Sequence, residues 1–422
     1  MSAAQSSNVS AAESRKGSLT AWIDARFPMT RMFKEHASEY YAPKNFNFWY
    51  YFGSLALVVL VIQIVTGIFL TMNYKPSAED AFASVEYIMR DVDWGWLIRY
   101  MHSTGASAFF IVVYLHMFRG LMYGSYKNPR ELIWIFGMLI YLCLMAEAFF
   151  GYLLPWGNMS YWGAQVIVSL FGAIPFGIGE VLVDWIRGDY YISDITLNRF
   201  FALHVIALPL ALVFLVIAHI LALHEVGSNN PDGVEIKKLK GPDGRPVDGI
   251  PFHPYYTVKD LVGFIVFAAL FASVVFFAPE MGGYFLEHAN FDPADPLLTP
   301  EHIAPVWYFT PYYAILRAVP NKLLGVVLMG AAVLIFFFLP WLDRAKVKSI
   351  RYRGWIFKTF LFAFATSFIA LGYLGLQPAT EGYTLAARVF TVVYFAFFLL
   401  MPWYSKIDKT KPVPDRVTYH AH

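Results

Sequence analysis

Four of the eleven histidines have the spacing to bind metal ions in two pairs. His102 and His116 are 14 residues apart, and His204 and His219 are 15 apart, in two separate apolar stretches. In an α-helix each spacing keeps both side chains on one face, about 21–22 Å apart along the axis. Neutral imidazole is a common metal ligand. Two such helices running in the same direction predict that His102 faces His204 and that His116 faces His219.

Glycines on two further apolar stretches repeat this spacing. Gly53 and Gly67 are 14 residues apart, and so are Gly137 and Gly151. Glycine lets a backbone approach a bulky group closely, which a flat macrocycle inside a four-helix bundle requires. A haem with two imidazole ligands has no open coordination position, so it carries electrons. The pattern predicts two haems stacked across the membrane; the alternative for the histidines is polar hydrogen bonding or a proton relay.

The composition indicates an integral membrane protein. Of the 422 residues, 58% are hydrophobic and 15% are charged, whereas soluble domains carry about 25% charged residues. The formal net charge of +2 argues against a nucleic-acid-binding protein. A single cysteine excludes a disulfide framework, a thiolate zinc site, an iron–sulfur cluster and covalent haem attachment through two cysteines.

Eight apolar stretches are long enough to cross a bilayer, which requires about 20 residues. The sequence therefore predicts an all-α membrane protein with eight transmembrane helices, the first four of which form the haem-binding bundle. The third stretch contains Glu147 and the eighth contains Arg388. The predicted spans are 45–74, 100–118, 132–154, 200–224, 261–279, 323–342, 359–380 and 383–404.

The distribution of basic residues predicts the orientation. Most of the 32 Lys and Arg lie in the two terminal segments and in the connections after the second, fourth and sixth spans. By the positive-inside rule both termini are cytoplasmic, and the first 44 residues lack the apolar core of a signal peptide. We expect an N-terminal tail (1–44), the haem bundle (45–230), a turn-rich, solvated cytoplasmic loop (231–258), a C-terminal helical region (259–405) and a tail (406–422). The 156–171 segment is uncharged and interfacial in character.

Four short motifs lie between residues 151 and 317. They are GYLLPWGNMSYWGA at 151–164, LHEVGSNNP at 223–231, FHPYYTVKD at 252–260 and PVWYFTPYYAILR at 305–317. With these motifs the sequence closely resembles the bacterial-type cytochrome b subunit of the ubiquinol–cytochrome c oxidoreductase (bc1) complex. The resemblance implies two non-covalent haem b groups, with ubiquinol and ubiquinone as substrates. The retained N-terminal tail, the absence of a transit peptide and the insertion after the fourth span favour the bacterial inner membrane over an organelle. The resemblance also implies a Rieske iron–sulfur protein and cytochrome c1 as partners, in a complex that is a homodimer.

The resemblance assigns a role to each histidine pair. His102 and His204 would ligate the low-potential haem, on the outer side, and His116 and His219 the high-potential haem. Quinol oxidised at an outer site would give one electron to the Rieske protein and one across both haems to quinone at an inner site, with proton translocation. Residues expected to pack against the haems or to pair with their propionates are Gly53, Gly67, Gly137, Gly151, Gln63, Arg99 and Arg119. The alternative for the two arginines is anchoring at the membrane interface.

The two quinone sites are assigned by the same resemblance. The inner site would comprise His224, Ser228, Lys259 and Asp260, whose titratable groups can protonate a reduced quinone. Without the family, Lys259 and Asp260 would be ordinary helix-end charges. The outer site would comprise Phe149, Tyr152, Gly163, Pro305, Val306, Trp307, Tyr308 and Tyr313.

Two features depart from the family pattern. The 15-residue spacing from His204 to His219 is one longer than in mitochondrial members, and we expect a kink at Pro209 to absorb the additional residue. The outer-site motif of the family has a glutamate where this chain has Val306. We hypothesise that Glu147 accepts the proton in its place, with His302 or Tyr308; the alternative is a structural hydrogen bond from Glu147 to a neighbouring helix.

Three other protein classes remain as alternatives. A transmembrane reductase of the ferric-reductase type also stacks two bis-histidine haems, but it requires a nucleotide-binding domain, and no GxGxxG motif in a βαβ context is present. A membrane anchor for a periplasmic dehydrogenase would lack the PVWY and LPWG segments. A transporter with buried histidines would bind no haem and be colourless.

Overall fold

A computed structural model describes residues 19–33 and 39–418 of the chain. In this part of the chain, eight helices are long and apolar enough to cross a membrane, which confirms the predicted number. The remaining residues of the predicted tails, 1–18, 34–38 and 419–422, lie outside the described residues. The membrane helices are α1 (Phe48–Thr71), α2 (Gly95–Tyr123), α3 (Glu131–Leu153), α4 (Asp194–Val226), α5 (Phe252–Phe277), α6 (Lys322–Leu342), α7 (Trp355–Leu376) and α8 (Glu381–Leu399).

The membrane helices pack in two groups. In the first group α1 packs along α2 and α3 packs along α4, while α5 contacts both α1 and α2. In the second group α7 packs along α8, and the short helix Thr310–Arg317 fits against both. A Cβ atom at Gly375 would lie 2.1 Å from the Thr310 carbonyl oxygen, so only glycine permits this approach. In α8, Arg388 donates from Nε to the Ala318 carbonyl, 2.8 Å away, which gives this charge a partner.

A π-helical turn interrupts α4 at Leu203–Ala207. Because a π turn closes i→i+5 hydrogen bonds, it accommodates one residue more than an α turn. It starts immediately before His204 and leads into Pro209, which opens the next α-helical segment. The extra residue of the 15-residue spacing is therefore absorbed by a π bulge next to the proline, and a proline kink alone does not describe the local structure.

Shorter helices lie between the membrane spans. The segment predicted to be interfacial forms the helix Asn158–Phe171, and a second helix, Ile178–Arg187, follows it before α4. The helix Ala81–Arg90 connects α1 to α2, and Met401–Ile407 follows α8. Near the N-terminus are two short helices, Leu19–Asp24 and Met29–Phe33.

A two-stranded antiparallel sheet, which the sequence analysis missed, ties the α4–α5 loop to the N-terminal segment. Strand β1 (Tyr41–Pro43) pairs with β2 (Gly249–Pro251). Beside this sheet the buried Asp248 carboxylate contacts Arg416 at 2.7 Å and Lys44 at 2.8 Å. The hydrogen bonds from Arg416 hold the pKa of Asp248 well below its usual range. Ion pairs and strand pairing thus hold the C-terminal end of the loop that was predicted to be solvated, while residues 242–245 are exposed.

The connection between α6 and α7 contains a fully buried ion pair. Arg353 Nη2 lies 2.5 Å from Asp343 Oδ2, and both side chains are inaccessible to solvent. Asp343 also accepts from the Tyr126 hydroxyl at 2.6 Å and contacts Lys127 at 3.3 Å. These contacts link the end of α2 to the end of α6.

Replacing Arg353 with methionine should destabilise the protein, because it leaves the Asp343 carboxylate buried without its main partner. Loss of one member of a buried pair costs about 3–5 kcal/mol. Thermal unfolding of the purified protein should show a clearly lower midpoint for Arg353→Met. In the matched control Arg245→Met, the partner Asp243 is exposed and 3.9 Å away, so the midpoint should hardly change. Equal midpoints for the two variants would contradict the conclusion that Arg353 and Asp343 form a stabilising buried ion pair.

Candidate functional site

The four histidines form two facing pairs in the bundle of α1 to α4. The ring centroids of His102 and His204 are 6.1 Å apart, and those of His116 and His219 are 6.4 Å apart. Two imidazoles that ligate one metal ion from opposite sides, with metal–nitrogen distances of about 2.0 Å, have centroids about 6 Å apart. Each pair therefore has the spacing of a bis-imidazole site. Among the described residues, no group of three or more His, Cys, Asp or Glu could hold a metal ion.

Each of the four spaced glycines lies against one of these histidines. We name the two levels and sides after the orientation predicted from the sequence, outer for His102 with His204 and inner for His116 with His219. At the outer level, a Cβ atom on Gly67 would lie 3.2 Å from His102 Cε1, and one on Gly151 would lie 2.4 Å from His204 Cε1. At the inner level, a Cβ on Gly53 would lie 3.2 Å from His116 Cε1 and one on Gly137 would lie 3.4 Å from His219 Cε1. The glycines thus hold the backbone close to the rings at both levels, and the residues fit two planar macrocycles.

The Nδ1 atoms of three of the histidines have different partners. His102 Nδ1 lies 3.0 Å from the Thr66 hydroxyl, and His116 Nδ1 lies 3.1 Å from Arg119 Nη2. His204 Nδ1 lies 2.9 Å from the Glu147 carbonyl oxygen and 3.1 Å from its carboxylate Oε1. Because a ligating imidazole donates its Nδ1–H, the oxygens of Thr66 and Glu147 can fix the orientation of His102 and His204, whereas Arg119 has only donors and cannot accept from His116.

The polar residues predicted to flank the haems lie close to the pairs. Arg99 is half-buried one turn before His102 in α2. The Arg119 guanidinium lies over the Tyr50 ring at 5.0 Å, and its buried Nε has no hydrogen-bond partner among the described residues. Gln63 donates to the Met101 carbonyl at 3.4 Å. A buried guanidinium nitrogen left without an acceptor fits an anionic group such as a propionate.

An open cavity of about 290 Å³ lies on the outer side, where the α5–α6 connection meets the helix after α3. Of the predicted outer-site residues, Pro305 lines this cavity, together with the hypothesised His302. Gly163 faces Tyr152, since a Cβ atom there would lie 3.7 Å from its ring. The lining residues are Met159, Gly282, Gly283, Tyr284, Glu287, His302, Ala304, Pro305 and Leu376.

Glu287 is a functional candidate that the sequence analysis missed. The Tyr152 hydroxyl donates to its Oε2 at 2.9 Å, and Asn290 Nδ2 donates to the same oxygen at 3.2 Å. Burial raises the pKa of the Glu287 carboxyl to about 7. A carboxyl with this pKa can take up and release protons near neutral pH. Glu287 lies 19 residues before Val306, and no local motif around it would have identified it as a site residue.

The other predicted outer-site residues pack around this region and do not line the cavity. Val306 is buried, and the Tyr308 ring stacks on Phe110 with centroids 3.9 Å apart. Trp307 Nε1 donates to Ser107 at 3.0 Å. The remaining two residues have separate contacts: Phe149 packs on Phe200, with centroids 5.6 Å apart, and Tyr313 donates to the Ile303 carbonyl at 3.2 Å.

Glu147 lies at the depth of the outer histidine pair, as the sequence hypothesis placed it. It does not line the outer cavity, and its carboxylate contacts the Nδ1 of His204. The contact is of the kind stated as the alternative, a hydrogen bond to a neighbouring helix. Among the described residues, Glu287 is the carboxylate that lines the cavity.

At the inner side, His224 and Ser228 share a partner that the sequence analysis missed. The Tyr40 ring stacks on His224 with centroids 4.4 Å apart, and its hydroxyl oxygen lies 2.8 Å from Ser228 Oγ. The Phe252 ring, which lies 6.1 Å from Tyr40, continues this aromatic surface towards α5.

Lys259 and Asp260 lie near the Phe252 ring. Both line a small cavity with Phe252 and residues of α1. Asp260 Oδ2 accepts from the Ser54 hydroxyl at 2.7 Å, and Lys259 Nζ lies 5.4 Å from the Tyr256 ring. The four predicted inner-site residues are thus distributed around a group of aromatic side chains at the inner ends of α1, α4 and α5.

Comparison with known proteins matches almost the whole chain. Residues 37–227 match the family model described as Cytochrome b/b6/petB, and residues 293–395 match the one described as Cytochrome b(C-terminal)/b6/petD. A solved structure titled "Hyperthermophilic respiratory Complex III" superimposes with a TM-score of 0.85 at 42% identity, covering 92% of this chain and 99% of that chain.

Two curated relatives give the same family. "Cytochrome b" of Allochromatium vinosum is 66% identical, covering 94% of this chain and 98% of that protein. "Cytochrome b/c1" of Bradyrhizobium diazoefficiens is 48% identical, covering 94% of this chain and 56% of that protein. This chain belongs to the cytochrome b family, whose bacterial members form the catalytic subunit of quinol–cytochrome c oxidoreductase, the respiratory complex III.

Proposed function

We propose that His102 with His204 and His116 with His219 are the axial ligands of two b-type haems. The observation that carries this proposal is the spacing of about 6 Å within both pairs, each with a glycine against every ring. When bound, the two haems supply one-electron transfer between the outer and the inner side of the bilayer. The two histidines of each pair would bind the haem iron and leave it no free coordination position for oxygen.

Gly151→Ala should prevent normal haem binding at the outer pair. The added methyl group would lie 2.4 Å from His204 Cε1, so the ring must move. We expect about one haem per chain and loss of the outer haem absorbance. Gly382→Ala in α8, where a Cβ atom meets nothing within 4 Å, should retain two haems. Full haem content and unchanged spectra in Gly151→Ala would overturn the assignment of the outer pair.

We propose that quinol is oxidised at the outer cavity and that Glu287 accepts a proton from it. Oxidation of a quinol releases two protons and two electrons, so the site requires a base near the hydroxyl group. Glu287 lines the cavity, and Tyr152 and Asn290 hold its carboxylate. His302, whose Nε2 is buried without a hydrogen-bond partner among the described residues, lines the same cavity and can hydrogen-bond the quinol.

Glu287→Gln should lower quinol-dependent cytochrome c reduction by about 10²-fold or more, the usual contribution of a general base. In the native protein the rate should rise as pH increases through about 7, because the carboxyl then loses its proton and can accept another. The variant should lack this rise. Glu301→Gln, an exposed carboxylate of the same connection, is the control. A Glu287→Gln variant with the native pH profile would exclude this role.

At the inner side we propose a quinone-reduction site formed by His224, Ser228, Lys259 and Asp260. Electrons arriving through the inner pair would reduce quinone here, while His224 and Asp260 supply protons from the cytoplasm. Tyr40 would hold the His224 ring by stacking and the Ser228 hydroxyl by hydrogen bonding. Oxidation outside and reduction inside together give proton translocation by a Q cycle.

We further propose a multi-subunit complex in the bacterial inner membrane, with both termini cytoplasmic. The similarity to a complex III structure and to a protein named "Cytochrome b/c1" supports cytochrome c1 as a partner. A Rieske protein would accept the second electron at the outer surface near the Asn158–Phe171 helix and the α5–α6 connection. A homodimer and ubiquinone as the quinone complete the proposal.

A further inference from the structure

The carboxylate of Glu147 is directed at one of the four imidazoles. Its Oε1 lies 3.1 Å from His204 Nδ1, and the backbone carbonyl of the same residue lies 2.9 Å from that nitrogen. The side chain is mostly buried, with 17% of its surface exposed. Its second oxygen, Oε2, has no hydrogen-bond partner among the described residues. The carboxylate is therefore held in the bundle chiefly by the histidine.

The other three histidines have no such neighbour among the described residues. His102 contacts the Thr66 hydroxyl and His116 contacts the Arg119 guanidinium, while His219 Nδ1 has no hydrogen-bond partner. Among the described residues Glu147 is thus the one carboxylate in contact with any of the four imidazoles, while an arginine lies near each pair, Arg99 at the outer level and Arg119 at the inner level.

A carboxylate beside Nδ1 changes the electronic properties of an imidazole that binds a metal through Nε2. When Nε2 binds the metal, Nδ1 carries a hydrogen and donates it. An anionic acceptor makes the imidazole a stronger electron donor and adds a negative charge close to the metal, so it stabilises the oxidised iron.

We propose that Glu147 is a positioning residue that orients His204 and lowers the reduction potential of the outer haem relative to the inner one. This inference rests on the proposed function, in which His204 binds that haem. It gives a role to a carboxylate in a membrane helix, where a charged side chain is costly to bury. A lower potential at the outer level would favour electron transfer from the outer to the inner haem.

The test is a potentiometric titration of the haem absorbance in the whole complex, comparing the native protein with Glu147→Gln. The amide keeps the shape and can still accept from Nδ1, but it removes the charge. We expect the reduction equilibrium of the outer haem to shift at least about tenfold towards the reduced form, which is 59 mV for one electron. The potential of the inner haem should stay constant and serves as an internal reference.

Glu180→Gln, an exposed carboxylate on the helix Ile178–Arg187, is the matched control and should leave both potentials unchanged. An unchanged outer potential in a Glu147→Gln complex with two haems overturns the inference and leaves the proposed function intact. Fewer than two haems in the native complex refutes the proposed function itself. If Glu147→Gln does not assemble, Glu147→Thr gives His204 a hydroxyl neighbour like that of His102, and it should show the same upward shift.

Discussion

The spacing of two imidazoles on separate helices, repeated at two depths of a membrane, constrains most of this structure. Both pairs have centroids about 6 Å apart, so α2 and α4 must face each other at the distance that two imidazoles on one metal ion require. The four glycines keep α1 and α3 close to the rings. The π turn at Leu203–Ala207 accommodates the longer spacing in α4 and keeps His204 level with His102.

The outer half of the molecule contains two carboxylates with different environments. Glu147 contacts His204, and Glu287 contacts Tyr152 at the wall of the outer cavity. We propose that Glu147 adjusts electron transfer and that Glu287 accepts a proton. Val306 is buried and has no carboxylate. In the proposal the proton is accepted by Glu287, which lies in the same connection and nearer the end of α5.

The parts that sequence alone predicted are those governed by local periodicity. Apolar length defined the eight spans, and helical spacing paired the histidines and placed the glycines. The missed residues, Glu287 and Tyr40, reach their sites through the folding of connections, which no spacing within one helix encodes. For the same reason the sequence did not predict the strand pairing of Tyr41–Pro43 with Gly249–Pro251. Glu147 was identified as unusual because of its charge, but its partner required the relative position of α3 and α4.

The central claim is that this chain carries electrons between two bis-imidazole haems at different depths. The most direct measurement is haem quantification per chain in the purified complex, combined with a redox titration of the absorbance difference spectrum. The account predicts two low-spin b-type haems per chain that titrate at two separate potentials. One haem or none, or a high-spin spectrum with an open coordination position, would contradict the account. Such a result would favour the membrane-anchor or transporter alternatives.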